Sequence, residues 1–173
     1  MKKIGWGILG AARVNERLMP AIVQSDLGEL IAIGSRRAGA SRECLLKHLP
    51  RYEDKVSCFD GFDQVINHKK VDVIYIPLAN EEHTEVALKA LRAKKDVLIE
   101  KPMAIKSEEV KILIKEATKN NVKIMEGFMY AFHPQFDRIM NTIKSNILGD
   151  INYAHSMFSF PIQPARFYRI NRS

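Results

Sequence analysis

The stretch Val97-Leu98-Ile99-Glu100-Lys101-Pro102 joins a short apolar run to a carboxylate, an amine and a proline. Three apolar residues in a row predict a strand that is covered on both faces of a sheet. Proline cannot donate to a strand ladder, so Pro102 ends the strand. We therefore expect Glu100 and Lys101 at the carboxyl end of a central strand, where open α/β sheets bind ligands. A partly desolvated acid and base there can move protons; the alternative is an ordinary surface ion pair.

Apolar strand patterns alternate with helix patterns along the chain on both sides of this stretch. Strands are predicted at residues 4–9, 30–34, 56–59, 71–76, 97–99 and 122–125. Helices are predicted at residues 16–25, 40–49, 62–67, 80–93 and 107–121. In the last of these helices, Ser107 is the expected N-cap, and the expected buried stripe is Val110, Leu113, Ile114 and Ala117. Pro20 lies inside the first helix, where it predicts a kink or a broken turn. This alternation predicts an α/β fold with a doubly wound parallel Rossmann sheet.

The first predicted strand runs into the small-residue turn Gly10-Ala11-Ala12-Arg13-Val14-Asn15. Small residues before a helix let a pyrophosphate approach backbone N–H groups at the positive helix end. Gly10 is the only glycine of the Gly-x-Gly-x-x-Gly fingerprint, because Ala12 and Asn15 stand in the second and third places. Arg13 could add a charge-assisted contact to phosphate. A tight strand-to-helix turn without a ligand is the competing interpretation.

The second predicted strand ends in Ser35-Arg36-Arg37, without an acidic residue. NAD sites place Asp or Glu here for the ribose 2′-hydroxyl, whereas NADP sites use arginine for the 2′-phosphate. A hydroxyl and planar guanidinium groups suit a phosphate. The residues therefore favour NADP over NAD, and a solvated basic turn is the alternative.

The fourth predicted strand ends at Pro77, and Leu78-Ala79-Asn80-Glu81-Glu82-His83 follows. Asn80 fits the N-cap of the next helix, and the two glutamates complement the helix dipole. We expect His83 in the first turn, facing the same sheet edge. A lone histidine near a cap is more often structural than functional.

Composition excludes several classes of protein. The chain has 173 residues, 46% hydrophobic and 27% charged, with a net charge of +7. The apolar runs are too short to span a bilayer, and no signal peptide is seen. Cys44 and Cys58 have no metal-ligand spacing and suggest no disulfide framework, which favours the cytoplasm. No basic run is interleaved with aromatics, so we expect no nucleic-acid partner, no membrane partner and no metal.

Together these stretches resemble the glucose-fructose oxidoreductase / inositol dehydrogenase family (Gfo/Idh/MocA). Residues 6–13 are similar to its cofactor loop, and residues 75–80 with His83 to its next landmark. Glu100-Lys101-Pro102 is similar to its catalytic motif, and residues 126–135 to its loop after strand six. The most similar branch is the NADP-dependent one of dihydrodiol and xylose dehydrogenases.

The resemblance implies a role for each motif. Lys101 would touch the substrate hydroxyl or carbonyl and relay its proton, and Glu100 would border the nicotinamide with it. The implied cofactor contacts fall in four groups. They are Gly10, Ala11, Ala12 and Arg13 at the pyrophosphate; Ser35, Arg36 and Arg37 at the 2′-phosphate; Pro77, Leu78, Asn80 and His83 along the adenosine and nicotinamide ribose; and Glu100 and Lys101 at the nicotinamide.

The resemblance also implies a second domain. Residues 1–125 would form the NAD(P)-binding Rossmann domain, and residues 126–173 the truncated start of an α+β substrate and oligomerisation domain. We expect a helix with an apolar stripe from Phe132 to Ile143 and then a strand over residues 151–160. Residues 166–173 would approach a glycine-rich segment whose Asp and Tyr or His complete the active site. Ala131 stands where the branch usually has arginine, so a cationic contact would be lost.

Two functions follow from the resemblance. The first is an NADP-dependent oxidoreductase that transfers a hydride between nicotinamide and the hydroxyl or carbonyl of a sugar or dihydrodiol, and that forms a homo-oligomer once the second domain is complete. The second is a non-catalytic dinucleotide-binding module, either a redox sensor or an inactive remnant. Lys101 and Arg36 fit both, so enzymatic activity is left open at this point.

Overall fold

A computed structural model describes residues 2–159 and residue 161. Six strands and six α-helices alternate through most of this range. The strands are β1 (Ile4–Leu9), β2 (Gly28–Ser35), β3 (Ser57–Asp60), β4 (Val73–Ile76), β5 (Asp96–Ile99) and β6 (Ile124–Glu126). The helices are α1 (Asn15–Gln24), α2 (Ala40–His48), α3 (Asp63–Ile66), α4 (Asn80–Arg92), α5 (Ser107–Asn120) and α6 (Pro134–Lys144), with short 3-10 turns at Pro50–Tyr52 and Met129–Phe132.

All six strands are parallel and lie in the order β3-β2-β1-β4-β5-β6. Ile8 of β1 is opposite Ile33 of β2 and Tyr75 of β4, so β1 lies at the centre of the sheet. The chain winds outward from β1 in one direction to β3 and then in the other direction to β6. This order confirms the predicted doubly wound Rossmann sheet.

Each face of the sheet has its own hydrophobic core. On one face, Met19 of α1 and Leu45 of α2 pack with Ile8 and Ile33. On the other face, α3, α4 and α5 cover side chains such as Ile74, which is fully buried. Burial on both faces explains why the strands have continuous apolar runs and not alternating ones.

Several predicted elements differ in detail from the observed ones. The expected broken turn at Pro20 is wrong, because α1 continues through it. Proline removes one helical hydrogen bond, but the buried side chains of Met19 and Ile22 hold both sides of this turn against the sheet. On α5, Leu113 is buried as predicted, whereas Ile114 is half exposed.

The predicted N-caps of two helices are also wrong. Asn80 is the first residue of α4, and the cap position is occupied by Ala79. Ser107 is likewise the first residue of α5, and Lys106 precedes it. The carboxylate of Glu109 replaces the expected serine cap, since it accepts hydrogen bonds from the N–H groups of Ile105 (3.2 Å) and Lys106 (3.0 Å).

The chain divides into two compact units, Met1–Met129 and Tyr130–Ser173. In the second unit, α6 forms at the predicted position, and Phe136, Ile139 and Ile143 are 38–48% exposed. The strand predicted over residues 151–160 is wrong for residues 151–159, which have no regular secondary structure. A strand requires a hydrogen-bonded neighbour, and an apolar pattern cannot supply one. Phe160 and residues 166–173 lie outside the described residues.

Candidate functional site

The carboxyl ends of β1 and β4 lie side by side at the centre of the sheet. The chain leaves β1 towards one side of the sheet and leaves β4 towards the other, which opens a crevice between the two connections. Ligands of doubly wound sheets bind at this switch point. The motifs predicted from sequence follow β1, β2, β4 and β5, and parallel pairing brings those four strand ends to the same edge.

Gly10 forms the turn after β1. Its φ angle is +117°, which favours glycine, and its N–H donates to the carbonyl of Gly34 at 2.7 Å. A Cβ atom at Gly10 would lie 2.8 Å from Cδ2 of Leu78, so the β1 and β4 connections approach closely here. Within residues 2–159, no acceptor receives the N–H groups of Ala11, Ala12 and Arg13. Three N–H groups before a helix fit the oxygens of a pyrophosphate.

Asn15 is a structural residue of this loop whose contacts were not predicted. Its side chain is fully buried, and Nδ2 donates to the carbonyl of Gly10 at 2.8 Å and contacts Sγ of Cys44 at 3.4 Å. Its Oδ1 is buried without a hydrogen-bond partner. An asparagine in the third-glycine position of the fingerprint was the available signal, because a polar side chain at that buried place must bond to the loop.

Ser35 and Arg37 are joined to each other at the end of β2. Ser35 is 7% exposed, and its Oγ accepts a hydrogen bond from the N–H of Arg37 at 3.3 Å. The guanidinium of Arg37 donates to the carboxylate of Glu43 at 2.6 Å on the surface. The hydrogen bond and the charge of Glu43 raise the pKa of Arg37, and Arg37 lowers the pKa of Glu43. Arg37 is therefore a surface cation that already has an anionic partner.

Arg36 is held by residues from two other elements. Its guanidinium forms an ion pair with the carboxylate of Glu82 in the first turn of α4. The guanidinium carbon also lies 5.6 Å from the ring centroid of Phe62, which is within cation–π range. The sequence interpretation identified the cation but neither of these contacts.

His83 bridges two loops at the sheet edge. Its ring is fully buried, with Nδ1 2.8 Å from the carbonyl oxygen of Pro102 and Nε2 3.2 Å from that of Leu78. Both partners are carbonyl acceptors, so each of these hydrogen bonds requires an N–H on the ring nitrogen that makes it. Pro77 is buried beside this bridge, while Asn80 is exposed at the start of α4. The structure gives His83 a connecting role, and its contact with a cofactor stays a prediction.

Glu100 is half-buried after β5, and Lys101 next to it is exposed. The hydroxyl of Tyr75, a buried residue of β4, donates to Oε1 of Glu100 at 2.7 Å. Burial raises the pKa of Tyr75, and the hydrogen bond and charge of Glu100 raise it further. The Lys101–Pro102 peptide bond is cis. Glu100 is thus held in place by a neutral phenol, and the ammonium of Lys101 faces solvent at the edge.

Glu126 at the end of β6 is a second contact that the sequence did not reveal. Its Oε1 accepts a hydrogen bond from the N–H of Met103 at 2.7 Å. The bond attaches the loop after Lys101 to the last strand. Glu126 therefore supports the position of the Glu100-Lys101-Pro102 turn.

The described part of the chain holds no group of three or more His, Cys, Asp or Glu side chains arranged for a metal ion. Among the same residues, no helix has the length and apolar character needed to cross a membrane. A shallow depression of about 300 Å³ lies beside Gly28 at the amino end of β2, away from the edge described above.

Comparisons with known proteins identify relatives among oxidoreductases with an NAD-binding Rossmann fold. A model of the oxidoreductase family with an NAD-binding Rossmann fold, GFO_IDH_MocA, matches residues 4–128. A dTDP-3,4-didehydro-2,6-dideoxy-alpha-D-glucose 3-reductase from Actinomadura kijaniata is 29% identical over 91% of this chain and 46% of its own length. A trans-1,2-dihydrobenzene-1,2-diol dehydrogenase from Xenopus laevis is 26% identical over 91% of this chain and 47% of its own length.

A solved structure adds a three-dimensional comparison. It is a 3-ketoreductase from Actinomadura kijaniata in complex with NADP and TDP-benzene, and it is 28% identical with a TM-score of 0.76. The match covers 84% of this chain and 43% of that one. The chain spans about half the length of the relatives that it matches. The fold, the matched residues 4–128 and the order of motifs along the sheet edge show that the chain belongs to the Gfo/Idh/MocA family of oxidoreductases with an NAD-binding Rossmann fold.

Proposed function

We propose that the chain forms the dinucleotide-binding part of an NADP-dependent oxidoreductase acting on a hydroxyl or carbonyl carbon of a sugar or dihydrodiol. The observation that carries this proposal is the turn at Gly10 beside Leu78, at the switch point between β1 and β4. The unpaired N–H groups of residues 11–13 fit a pyrophosphate there. The 3-ketoreductase of similar fold contains NADP.

The preference for NADP rests on the end of β2. The proposal assigns the hydroxyl of Ser35 and the guanidinium groups of Arg36 and Arg37 to the 2′-phosphate, and that strand end has no acidic residue in sequence. Guanidinium groups bind phosphate oxygens through two N–H groups at once. NADH lacks this phosphate, so it would gain nothing from these residues.

Lys101 and Glu100 are the proposed catalytic pair. The nicotinamide supplies the carbon that accepts or donates the hydride. The ammonium of Lys101 stabilises the alkoxide oxygen of the substrate and exchanges a proton with it. Glu100 directly precedes Lys101 in the chain, and its carboxylate accepts a hydrogen bond from the hydroxyl of Tyr75. Names of two relatives, a sugar reductase and a dihydrodiol dehydrogenase, support the substrate class. Assembly into a homo-oligomer stays a prediction.

Calorimetric titration of the 173-residue chain with NADPH and with NADH tests the cofactor assignment. We expect saturable binding, with NADPH at least tenfold tighter. Equal affinity or a preference for NADH would contradict the 2′-phosphate assignment and leave the fold assignment intact. No binding of either dinucleotide by folded, monodisperse protein would contradict the proposed function.

Turnover then separates the enzyme from a dinucleotide-binding module without activity. Sugars and dihydrodiols are offered with NADP, and reduction is followed at the nicotinamide absorbance. Activity that Lys101→Ala lowers by about 10²-fold or more, with NADPH affinity nearly kept, would support the catalytic role. Tight binding without turnover of any such substrate would favour the module.

A further inference from the structure

The inference concerns the ion pair between Arg36 and Glu82. The two residues are 46 positions apart and meet because the end of β2 faces the first turn of α4. The side chain of Glu82 is 21% exposed and that of Arg36 is 65% exposed, so the carboxylate is the more enclosed partner. The ring centroid of Phe62, the residue before α3, lies 5.6 Å from the guanidinium carbon of Arg36. Arg36 is therefore held by two side chains from other parts of the chain.

Arg37 provides a comparison within the same turn. Its partner Glu43 is six residues away in sequence, and both side chains are about two-thirds exposed. Exposed ion pairs of this kind have little energetic effect and separate readily. A phosphate meeting Arg37 can displace Glu43 into solvent, whereas the more enclosed Glu82 stays beside Arg36.

Glu82 has two opposite effects on a phosphate near Arg36. A guanidinium has five N–H donors, so the pair with Glu82 leaves donors for a second anion. The carboxylate of Glu82 nevertheless occupies donors of Arg36 that a phosphate could otherwise take, and it offsets part of the guanidinium charge. Phe62 still contacts the guanidinium when the charge of Glu82 is removed, so a substitution frees Arg36 for a phosphate without leaving it unsupported.

We propose that Glu82, acting through Arg36, is a positioning residue that limits the preference of this chain for a dinucleotide with a 2′-phosphate. The proposal rests on the proposed function, since it assigns Arg36 to the 2′-phosphate. It explains why a site with two arginines also contains a carboxylate against one of them. The ion pair with Glu82 orients the guanidinium of Arg36, and it weakens the electrostatic attraction between Arg36 and the 2′-phosphate.

Glu82→Gln tests the proposal, because it replaces the carboxylate by an amide of the same size, which removes the charge and keeps one acceptor oxygen. Calorimetry gives the dissociation constants for NADPH and NADH. We expect the ratio of NADH to NADPH dissociation constants to rise about fivefold, roughly the effect of one additional hydrogen bond between Arg36 and the 2′-phosphate. NADH affinity should change by less than about twofold, and a role confined to stability would leave the ratio unchanged.

Two further variants make the test specific. Glu116→Gln removes a charge of the same sign from a side chain that is 15% exposed and pairs with Arg92, the last residue of α4, and it should change the ratio by less than about twofold. In an Arg36→Gln background, Glu82→Gln should no longer raise the ratio, because the two effects are coupled. An unchanged or lower ratio in Glu82→Gln, an equal rise in Glu116→Gln, or a rise that persists without Arg36 would each overturn the inference. Failure of the unsubstituted chain to bind either dinucleotide would overturn the proposed function itself.

Discussion

Helices α4 and α6 have similar amphipathic patterns and differ in how much of the pattern they bury. On α4, Val86, Ala87 and Leu91 are buried within the first unit. On α6, no residue is buried, and Ile139 is 48% exposed. The comparison teaches that a 3.6-residue period predicts the helix in both regions, whereas burial depends on a sheet face, which the first unit contains and the described residues of the second unit do not.

The largest expected effect comes from opening a cavity in the sheet. Ile74 of β4 is fully buried, and Ile74→Ala should lower the free energy of unfolding by about 3–4 kcal/mol. Urea unfolding followed by circular dichroism measures this change. A loss below about 1 kcal/mol would mean that the first unit is no better packed than α6.

The next effect comes from the turn after β1. Gly10→Ala adds a methyl group 2.8 Å from Leu78 at a φ of +117°, and it should cost about 2–3 kcal/mol and weaken NADPH binding. Gly149→Ala is the matched control in the second unit, where φ is +63° and the space is open. It should cost about 1 kcal/mol or less. Equal losses of unfolding free energy in the two variants would contradict the close approach of Gly10 to Leu78.

A smaller effect should come from the hydrogen bond between Tyr75 and Glu100. Tyr75→Phe removes the donor and should cost about 1–2 kcal/mol at pH 7. The pKa of Tyr75 is raised in the folded chain. The contribution of the protonated hydroxyl to the free energy of unfolding is therefore fully present below the ordinary tyrosine pKa of about 10, and it is lost as the pH rises through the folded-state pKa.

The difference in unfolding free energy between the unsubstituted chain and Tyr75→Phe should therefore narrow above pH 10. Urea unfolding at several pH values measures it. Tyr153, which is 80% exposed in the second unit, provides the control Tyr153→Phe, with no expected change at any pH. A constant difference for Tyr75→Phe between pH 7 and pH 11 would argue against a perturbed phenol.

The smallest effect should come from α6. Ile139→Ala makes a change of comparable size to Ile74→Ala on a half-exposed side chain, and it should cost less than about 1 kcal/mol. The same urea unfolding measures it. A loss near 3 kcal/mol would show that Ile139 is covered in solution, and the contrast between the two regions would then fail.

The sheet and its ligand edge could be predicted from local sequence. Apolar runs such as Val71–Ile76 indicate buried strands, and Gly10 and Pro102 mark where strands end. The remaining features depend on residues that are distant in sequence. The sequence around Arg36 contains no signal for its ion pair with Glu82. Residues 151–159 have an apolar pattern, but they lack the neighbouring strand with which they would have to pair to form a strand. Helix caps were misassigned because Ala79 and Asn80 differ in backbone angles, which composition does not determine.

The buried imidazole of His83 makes one side chain responsible for two connections at the rim of the crevice. Its contacts go to the backbone carbonyls of Leu78 and Pro102, which every amino acid possesses. The hydrogen bonds themselves therefore do not depend on the side chains at positions 78 and 102. Both depend on the ring at position 83, so a substitution that removes this ring disconnects the loop after β4 from the loop after β5 in a single step.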